Sequence, residues 1–308
     1  MRGQSVAVTG AFGYTGKYIA RRLLDSGKNV ITLTNHPNRP NPFGHQIGAY
    51  PFNFEHPDKL SVSLKDIDTL YNTYWIRFPH SGQTFSQAIK NTETLLQSAQ
   101  LAGIRRIVHI SITNPSEHST YPYFQGKALL ETEIKDSGLS YAILRPTVIF
   151  GKEDILINNI AYLLRKFKIF PIPGTGEYNL QPIFVDDFAE IAVKVGDLHE
   201  NLIMDVVGPE VFTFKNLIQL LINTIGHRVW LINLAPEFSL LLSKIVSVLL
   251  QDVLLTRGEL YGLMDNLLVS KDKPLGKTPL SKWVKENADQ IGQRYASELV
   301  RHYQYYRE

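Results

Sequence analysis

The stretch Ser5-Val6-Ala7-Val8-Thr9-Gly10-Ala11-Phe12-Gly13-Tyr14-Thr15-Gly16 decides how this chain is read. Val6 and Val8, apolar at period two, mark a short buried strand. Thr9 to Gly16 then run as T-G-x-x-G-x-x-G. From Lys17 the chain continues as an amphipathic helix with Ile19, Leu23 and Leu24 on its inner face. A glycine-rich turn between a strand and a helix is a phosphate site. Backbone without Cβ atoms turns sharply and approaches a ligand, while the first helical N–H groups and the helix dipole face the anion. In such a turn Gly10 makes the bend, Gly13 admits a pyrophosphate and Gly16 lets helix and strand pack closely. Thr9, Gly10, Phe12, Gly13, Tyr14, Thr15 and Gly16 are therefore the expected contacts of a bound dinucleotide. The strand before the glycines and the helix after them are the context that gives the motif meaning.

Working outward, Asn29–Thr34 reads as the second strand, and the residues just past it face the cofactor's ribose. An acid there pairs with a free 2′-hydroxyl, whereas a base suits a 2′-phosphate. The chain offers Asn35, His36 and Arg39 and no carboxylate, which favours NADP(H) and leaves NAD(H) possible. Further strands are expected at 47–53, 69–75, 106–112 and 139–146, with a long helix over 83–102 and another after Lys127. A last strand lies near 202–207. This alternation implies right-handed βαβ units: an α/β chain with a Rossmann-type, doubly wound parallel sheet. Residues 1–150 with a return segment 183–208 would form that core. Residues 151–182 and 209–308 would form a smaller, mainly helical substrate-binding part.

The 308 residues are 44% hydrophobic and 20% charged, the balance of a globular protein. A net charge of +3, with no basic run longer than two residues, gives no nucleic-acid surface. The absence of cysteine excludes disulfides and thiolate chemistry and fits a reducing, cytoplasmic setting. No signal peptide or membrane span is expected. His36, His45, His109 and His118 lack ligand spacing, so no metal is expected. The apolar run from Phe238 to Leu255 allows two readings: a helix packed into the core, or a lid or membrane-facing surface.

Chemistry points to Ser111, Tyr123 and Lys127. Tyr123 and Lys127 are four residues apart, one turn on a helix face. An ammonium beside a phenol favours phenolate, which lets the tyrosine exchange a proton with a substrate oxygen near neutral pH. Lys127 could also hold the nicotinamide ribose. Ser111, at the carboxyl end of the fifth strand, could hold the reacting oxygen.

With these residues in place the chain resembles the short-chain dehydrogenase/reductase superfamily, in its extended and atypical branches. It is similar to NmrA-like proteins and to the complex I 39-kDa-subunit-like group. The likeness rests also on Asn91, on Leu144-Arg145-Pro146-Thr147, on Val185-Asp186-Asp187 and on Val207-Gly208-Pro209. It implies an NAD(P)-dependent oxidoreductase acting on a small carbonyl or hydroxyl substrate, as monomer or homodimer. By the same resemblance Asn53 stands at the adenine, and Thr73, Pro146, Thr147 and Val148 near the cofactor. Two other uses are compatible with it: an NADP(H)-binding sensor or assembly protein, and a sugar-nucleotide epimerase or dehydratase. Gln181-Pro182 stands where epimerases place a diphosphate-gripping arginine, which favours a less charged substrate.

Overall fold

The structure, a computed structural model, describes residues 4–303. The chain divides into two compact units: Met1–Pro146 with Val185–Asp205, and Thr147–Phe184 with Val206–Glu308.

In the first unit the strands are β1 (Ser5–Thr9), β2 (Asn29–Thr34), β3 (Ile47–Pro51), β4 (Thr69–Asn72), β5 (Arg106–Ile110) and β6 (Ser140–Pro146), with β7 (Leu202–Val206) at the unit's edge in the sequence. Their order in the sheet is β7-β6-β5-β4-β1-β2-β3, and the pairs from β6 to β3 are all parallel. The order reverses at β1, whose neighbours are β2 and β4, and ligands of such sheets bind outside the strands' carboxyl ends at this switch point. The helices are α1 (Tyr14–Asp25), α2 (Pro57–Ser63), α3 (Phe85–Leu101), α4 (Pro122–Asp136) and α5 (Val185–Gly196). The α1 helix packs on α5, whereas α3 packs on both α2 and α4. Ala7, Leu33, Leu70, Ile107 and Ile143, one from each of five neighbouring strands, share a core with Leu60, Leu95 and Ile134 of the α2, α3 and α4 helices.

Where strands stop short of the sequence reading, a local cause is visible. The third ends at Pro51, which has no N–H to continue the ladder, and Asn53 adopts a left-handed φ of 48°. The fourth ends at Asn72 because the Thr9 hydroxyl accepts from the amides of Thr73 (2.7 Å) and Tyr74 (3.0 Å). The α2 helix, unmarked by any apolar periodicity, starts with Pro57 in its first turn and buries Leu60.

Polar ties brace this unit. The guanidinium of Arg22 in α1 forms a two-bond pair with Asp186 at the start of α5, both contacts at 2.8 Å. Arg106, fully buried, donates to the carbonyls of Val195 (2.9 Å) and Glu200 (3.0 Å) and to Ser140.

The second unit is mainly helical. The helices Leu156–Lys166 and Phe214–Ile225 bury Ile157, Ile160, Leu217 and Leu221 in a core shared with Phe150 and Trp283. Its strands occur only as pairs, the longest being Ile169–Pro173 beside Trp230–Leu234, in parallel. The apolar run from Phe238 lies in the helix Pro236–Leu250, and it does not form a core helix. In this helix Ser239 and Ser243 are buried and Leu240, Val246 and Leu250 half-buried, while Phe238, Leu241, Leu242, Ile245, Val248 and Leu249 are exposed. Small serines let the helix lie close to its own unit, and the large side chains are left outward. Among the described residues no helix is long and apolar enough to cross a membrane.

Candidate functional site

The turn after β1 has the geometry the glycines foreshadow. Gly10 adopts a φ of +66°, a region costly for any residue with a Cβ, and its amide donates to Leu33 O at 2.8 Å. Gly13 closes the turn by donating to Gly10 O at 2.8 Å, and a Cβ there would come within 3.2 Å of that oxygen. A Cβ on Gly16 would overlap the same carbonyl, so α1 can sit this close to the turn only through glycine. Gly13 is also the N-cap of α1, with no side chain to accept from the first-turn amides and no acid in that turn. An anion fits there: the helix start is positive and uncompensated, and Gly13 keeps the approach open. Thr9, buried, anchors the turn to β4. Besides accepting two amides its hydroxyl donates to Asn72 Oδ1 (3.2 Å), and Thr73 donates back to Thr9 O. Phe12 is buried, and Tyr14 and Thr15 open α1.

Past β2, His36 and Arg39 form one turn in which Arg39 N donates to His36 O at 3.1 Å, and His36 N donates to Thr34 Oγ1. Asn35 is exposed beside it. Past β3, Asn53 lies between Phe52 and Phe54, whose rings stack at 4.7 Å and both meet Tyr74. Tyr74 thus closes a hydrophobic cluster and accepts from Asn91 at 2.7 Å, which gives Asn91 a packing role. Pro146 ends β6 in the first unit. Thr147 and Val148 open the second, where Thr147 donates to Gln181 O and Val148 O accepts from Ile183 N at 2.8 Å. Gln181 is spent inside the same unit, donating to Gly208 O (2.9 Å) and accepting from Ser270 N (3.1 Å).

Ser111, Tyr123 and Lys127 sit after β5 and in α4, and each is already held. Ser111 donates to Glu131 Oε1 at 2.5 Å, and Glu131 is in turn gripped by Arg145 of β6 through two guanidinium nitrogens. Tyr123 stands edge-on to Trp75 (5.9 Å) and Phe85 (6.1 Å). Lys127 is only 3% exposed; its ammonium donates to Ile110 O at 2.6 Å and lies 4.8 Å from the centre of the Trp75 ring. Burial lowers its pKa to about 7, opposed by the charge of Glu131. Trp75 reaches this place because residue 126 is glycine: a Cβ there would meet Trp75 Cη2 at 2.7 Å.

Three participants lie outside the sequence reading. Glu131 is the acceptor of Ser111, and Arg145 is the partner of Glu131. The third is the pair Asn72–His109 behind Lys127: the Asn72 amide meets His109 Nδ1 at 3.1 Å, and buried His109 Nε2 has no hydrogen-bond partner among the described residues. Burial, then the nearby Lys127 charge, holds His109 well below its ordinary pKa, so the ring is neutral. The i, i+4 spacing of Lys127 and Glu131 was the one available signal for any of them.

Comparison with known proteins bears on the nucleotide-binding reading and on the fold. Residues 10–158 match the NAD(P)H-binding family. The mitochondrial NADH dehydrogenase (ubiquinone) 1 alpha subcomplex subunit 9 of Arabidopsis thaliana is 24% identical over 239 residues, 72% of this chain and 58% of the relative. The photosystem II assembly factor Ycf39 of Cyanophora paradoxa is 28% identical over 143 residues, 46% of this chain and 44% of the relative. The chain thus spans about half the length of these curated relatives. Among solved structures, the triphenylmethane reductase of Citrobacter sp. complexed with NADP(H) shares the fold. It matches with a TM-score of 0.76 at 19% identity, covering 92% of this chain and 99% of that one. A glycine turn fit for a pyrophosphate, the sheet order and these relatives lead to one conclusion: residues 10–158 form an NAD(P)H-binding domain, in a chain homologous to complex I 39-kDa-subunit-like and Ycf39-like proteins.

Proposed function

We propose that this chain is an NADP(H)-binding module, a sensor or assembly protein whose bound nucleotide is read rather than rapidly turned over. The observation that carries this reading is the state of Lys127. Proton exchange through Tyr123 calls for a lysine that is charged and available to the phenol and the ribose. Here the amine is buried, bonded to Ile110 O and covered by Trp75, with a pKa near 7 that leaves it about half neutral at physiological pH. Ser111, tied to Glu131, is committed in the same way. A relative named as an assembly factor supports a use of this domain without turnover.

The cofactor preference follows from the turn after β2. Arg39, in a segment 35–39 whose sequence holds no Asp or Glu, favours a 2′-phosphate, and one charge-assisted contact in a half-exposed turn corresponds to about tenfold tighter NADPH than NADH.

A second reading has its own observation. An amine with a pKa near 7 is also poised to pass a proton, as an oxidoreductase using Ser111, Tyr123 and Lys127 would need. One experiment separates the two. Fluorescence titration should show NADPH binding to the parent and to Tyr123→Phe, and none to Gly13→Val. NADPH consumption with a panel of quinones, aldehydes and cationic dyes should stay at the buffer rate. Steady turnover that falls roughly 10²–10⁴-fold in Tyr123→Phe would establish the oxidoreductase instead. Equal NADPH affinity in Gly13→Val would remove the nucleotide site from the first turn.

A further inference from the structure

The second unit carries a surface that the nucleotide reading does not use. Strand Trp230–Leu234 runs through Ala235 directly into the helix Pro236–Leu250, which packs against strand Ile169–Pro173. The three elements form one continuous face. On the helix Phe238, Leu241, Ile245, Val248 and Leu249 point outward, each more than half exposed. On the strands Trp230 is 76% exposed and stands in register with Ile169, itself 55% exposed, beside exposed Phe167. Single exposed apolar residues need no explanation, but a helix that buries serines and exposes its large side chains has its partner on the outside.

The charges around this face say what that partner is. From Ile155 to Gly176, and again from Val211 to Pro236, the chain has no Asp or Glu. These segments hold exposed Lys166, Lys168, His227 and Arg228. Lys168 and Trp230 are joined directly, Trp230 N donating to Lys168 O at 2.8 Å. Lys244 adds a cation on the helix, while the acid there, Glu237, accepts from the Tyr261 hydroxyl. The rim of a protein-docking site is polar, whereas this rim carries an excess of one sign. An apolar face with a tryptophan at its border and a rim of cations matches the headgroup region of an anionic bilayer: side chains enter the acyl boundary, the indole sits at the interface, and lysines meet lipid phosphates. Because the helix Pro236–Leu250 does not span, the contact lies along the surface.

We propose that this face docks the protein peripherally onto an anionic lipid surface. The test uses the full chain and two kinds of vesicle, pure phosphatidylcholine and phosphatidylcholine with a third phosphatidylglycerol. Co-sedimentation should be strong with the anionic vesicles, fall with added salt, and be weak with the neutral ones. Reversing two cations, Lys168→Glu with Arg228→Glu, changes the charge by four units and should weaken it roughly 600-fold, since each charge near such a surface is worth about fivefold. Val248→Ser with Leu249→Ser should weaken it independently of salt. Tryptophan emission should shift blue on binding, and Trp230→Phe should abolish the shift, because Trp283 is buried and Trp75 is packed against Phe85, Tyr123 and Lys127 in the first unit. Equal binding to both vesicles, or no binding to either, would overturn the proposal. A dimer that the serine pair converts to monomer, with no vesicle recruitment, would assign the face to a second copy of the chain instead.

Discussion

The helix α4 and the helix Pro236–Leu250 are each fifteen residues long, and both break the rule that apolar side chains go in and charges out. They break it in opposite senses. The α4 helix takes two charges inside, Lys127 and Glu131, each under 5% exposed. Helix Pro236–Leu250 leaves its large apolar residues outside and turns serines inward. The difference lies in where the compensation is found. Every buried charge of α4 meets a partner within its own unit: Ile110 O and the Trp75 ring for Lys127, Arg145 and Ser111 for Glu131. The outward apolar residues of the other helix have no such partner within theirs. A buried charge is an internal commitment, whereas an exposed apolar row is an external one.

Substitution should separate the two helices sharply, the greatest effect falling on α4. Glu131→Leu leaves the Arg145 guanidinium facing an apolar side chain and the Ser111 hydroxyl without its acceptor. Urea unfolding should show a loss of about 3 kcal/mol, the low end for breaking a buried pair, because Arg145 keeps some solvent. A loss under 1 kcal/mol would mean that the pair is not the internal tie described here.

Lys127→Met should act through pH. The folded pKa, about 7, lies below the ordinary lysine value of 10.5, so between those values the unfolded chain binds the extra proton. Stability contributed by this group therefore rises with pH through that window, and the cost of burying the charge is greatest below pH 7. Parent stability should gain about 2 kcal/mol more than the variant's between pH 7 and 9. Parallel curves for the two proteins would show that the ammonium is not desolvated.

On the other helix, Leu241→Ser, Val248→Ser and Leu249→Ser should each change unfolding free energy by no more than about 0.5 kcal/mol, as expected for side chains already in water. A loss of 2 kcal/mol or more at any of them would mean that the row is packed in the isolated chain, and the contrast between the helices would dissolve.

These two helices also mark how far the sequence could be read. The glycine turn was legible because its chemistry is local: strand, bend and helix occupy about twenty consecutive residues, and each glycine has a backbone reason. The doubly wound parallel sheet followed from the alternation of elements. That Tyr123 and Lys127 share a helix was legible from their spacing. The neighbours of Ser111 and Lys127 were not, since Arg145 arrives through the pairing of β5 with β6, and Trp75 through its seat on Gly126. Arg106 looked like the charged start of a strand; its three acceptors come from residues 140, 195 and 200, and no spacing predicts them. The run from Phe238 to Leu255 was legible as helical, but hydropathy alone did not choose between a core helix and an outward, lid or membrane-facing one. The most buried positions of its inward stripe, beside half-buried Leu240, Val246 and Leu250, are serines, which hydropathy counts as polar and packing here uses as small.

The pairing of Arg22 with Asp186 bears on how the protein is made. The two residues are separated by 164 positions, and the chain leaves the first unit at Pro146 before it returns at Val185. On a ribosome moving at ~5–20 residues per second, α1 therefore emerges roughly ten to thirty seconds before its partner helix exists. Through that interval the surface of α1 that will meet α5 is open, and the nucleotide turn at its start is already synthesised. NAD(P)H bound there would stabilise the nascent sheet by mass action while α5 is awaited. Cofactor supply would then govern the yield of folded chain as well as the state of the finished protein.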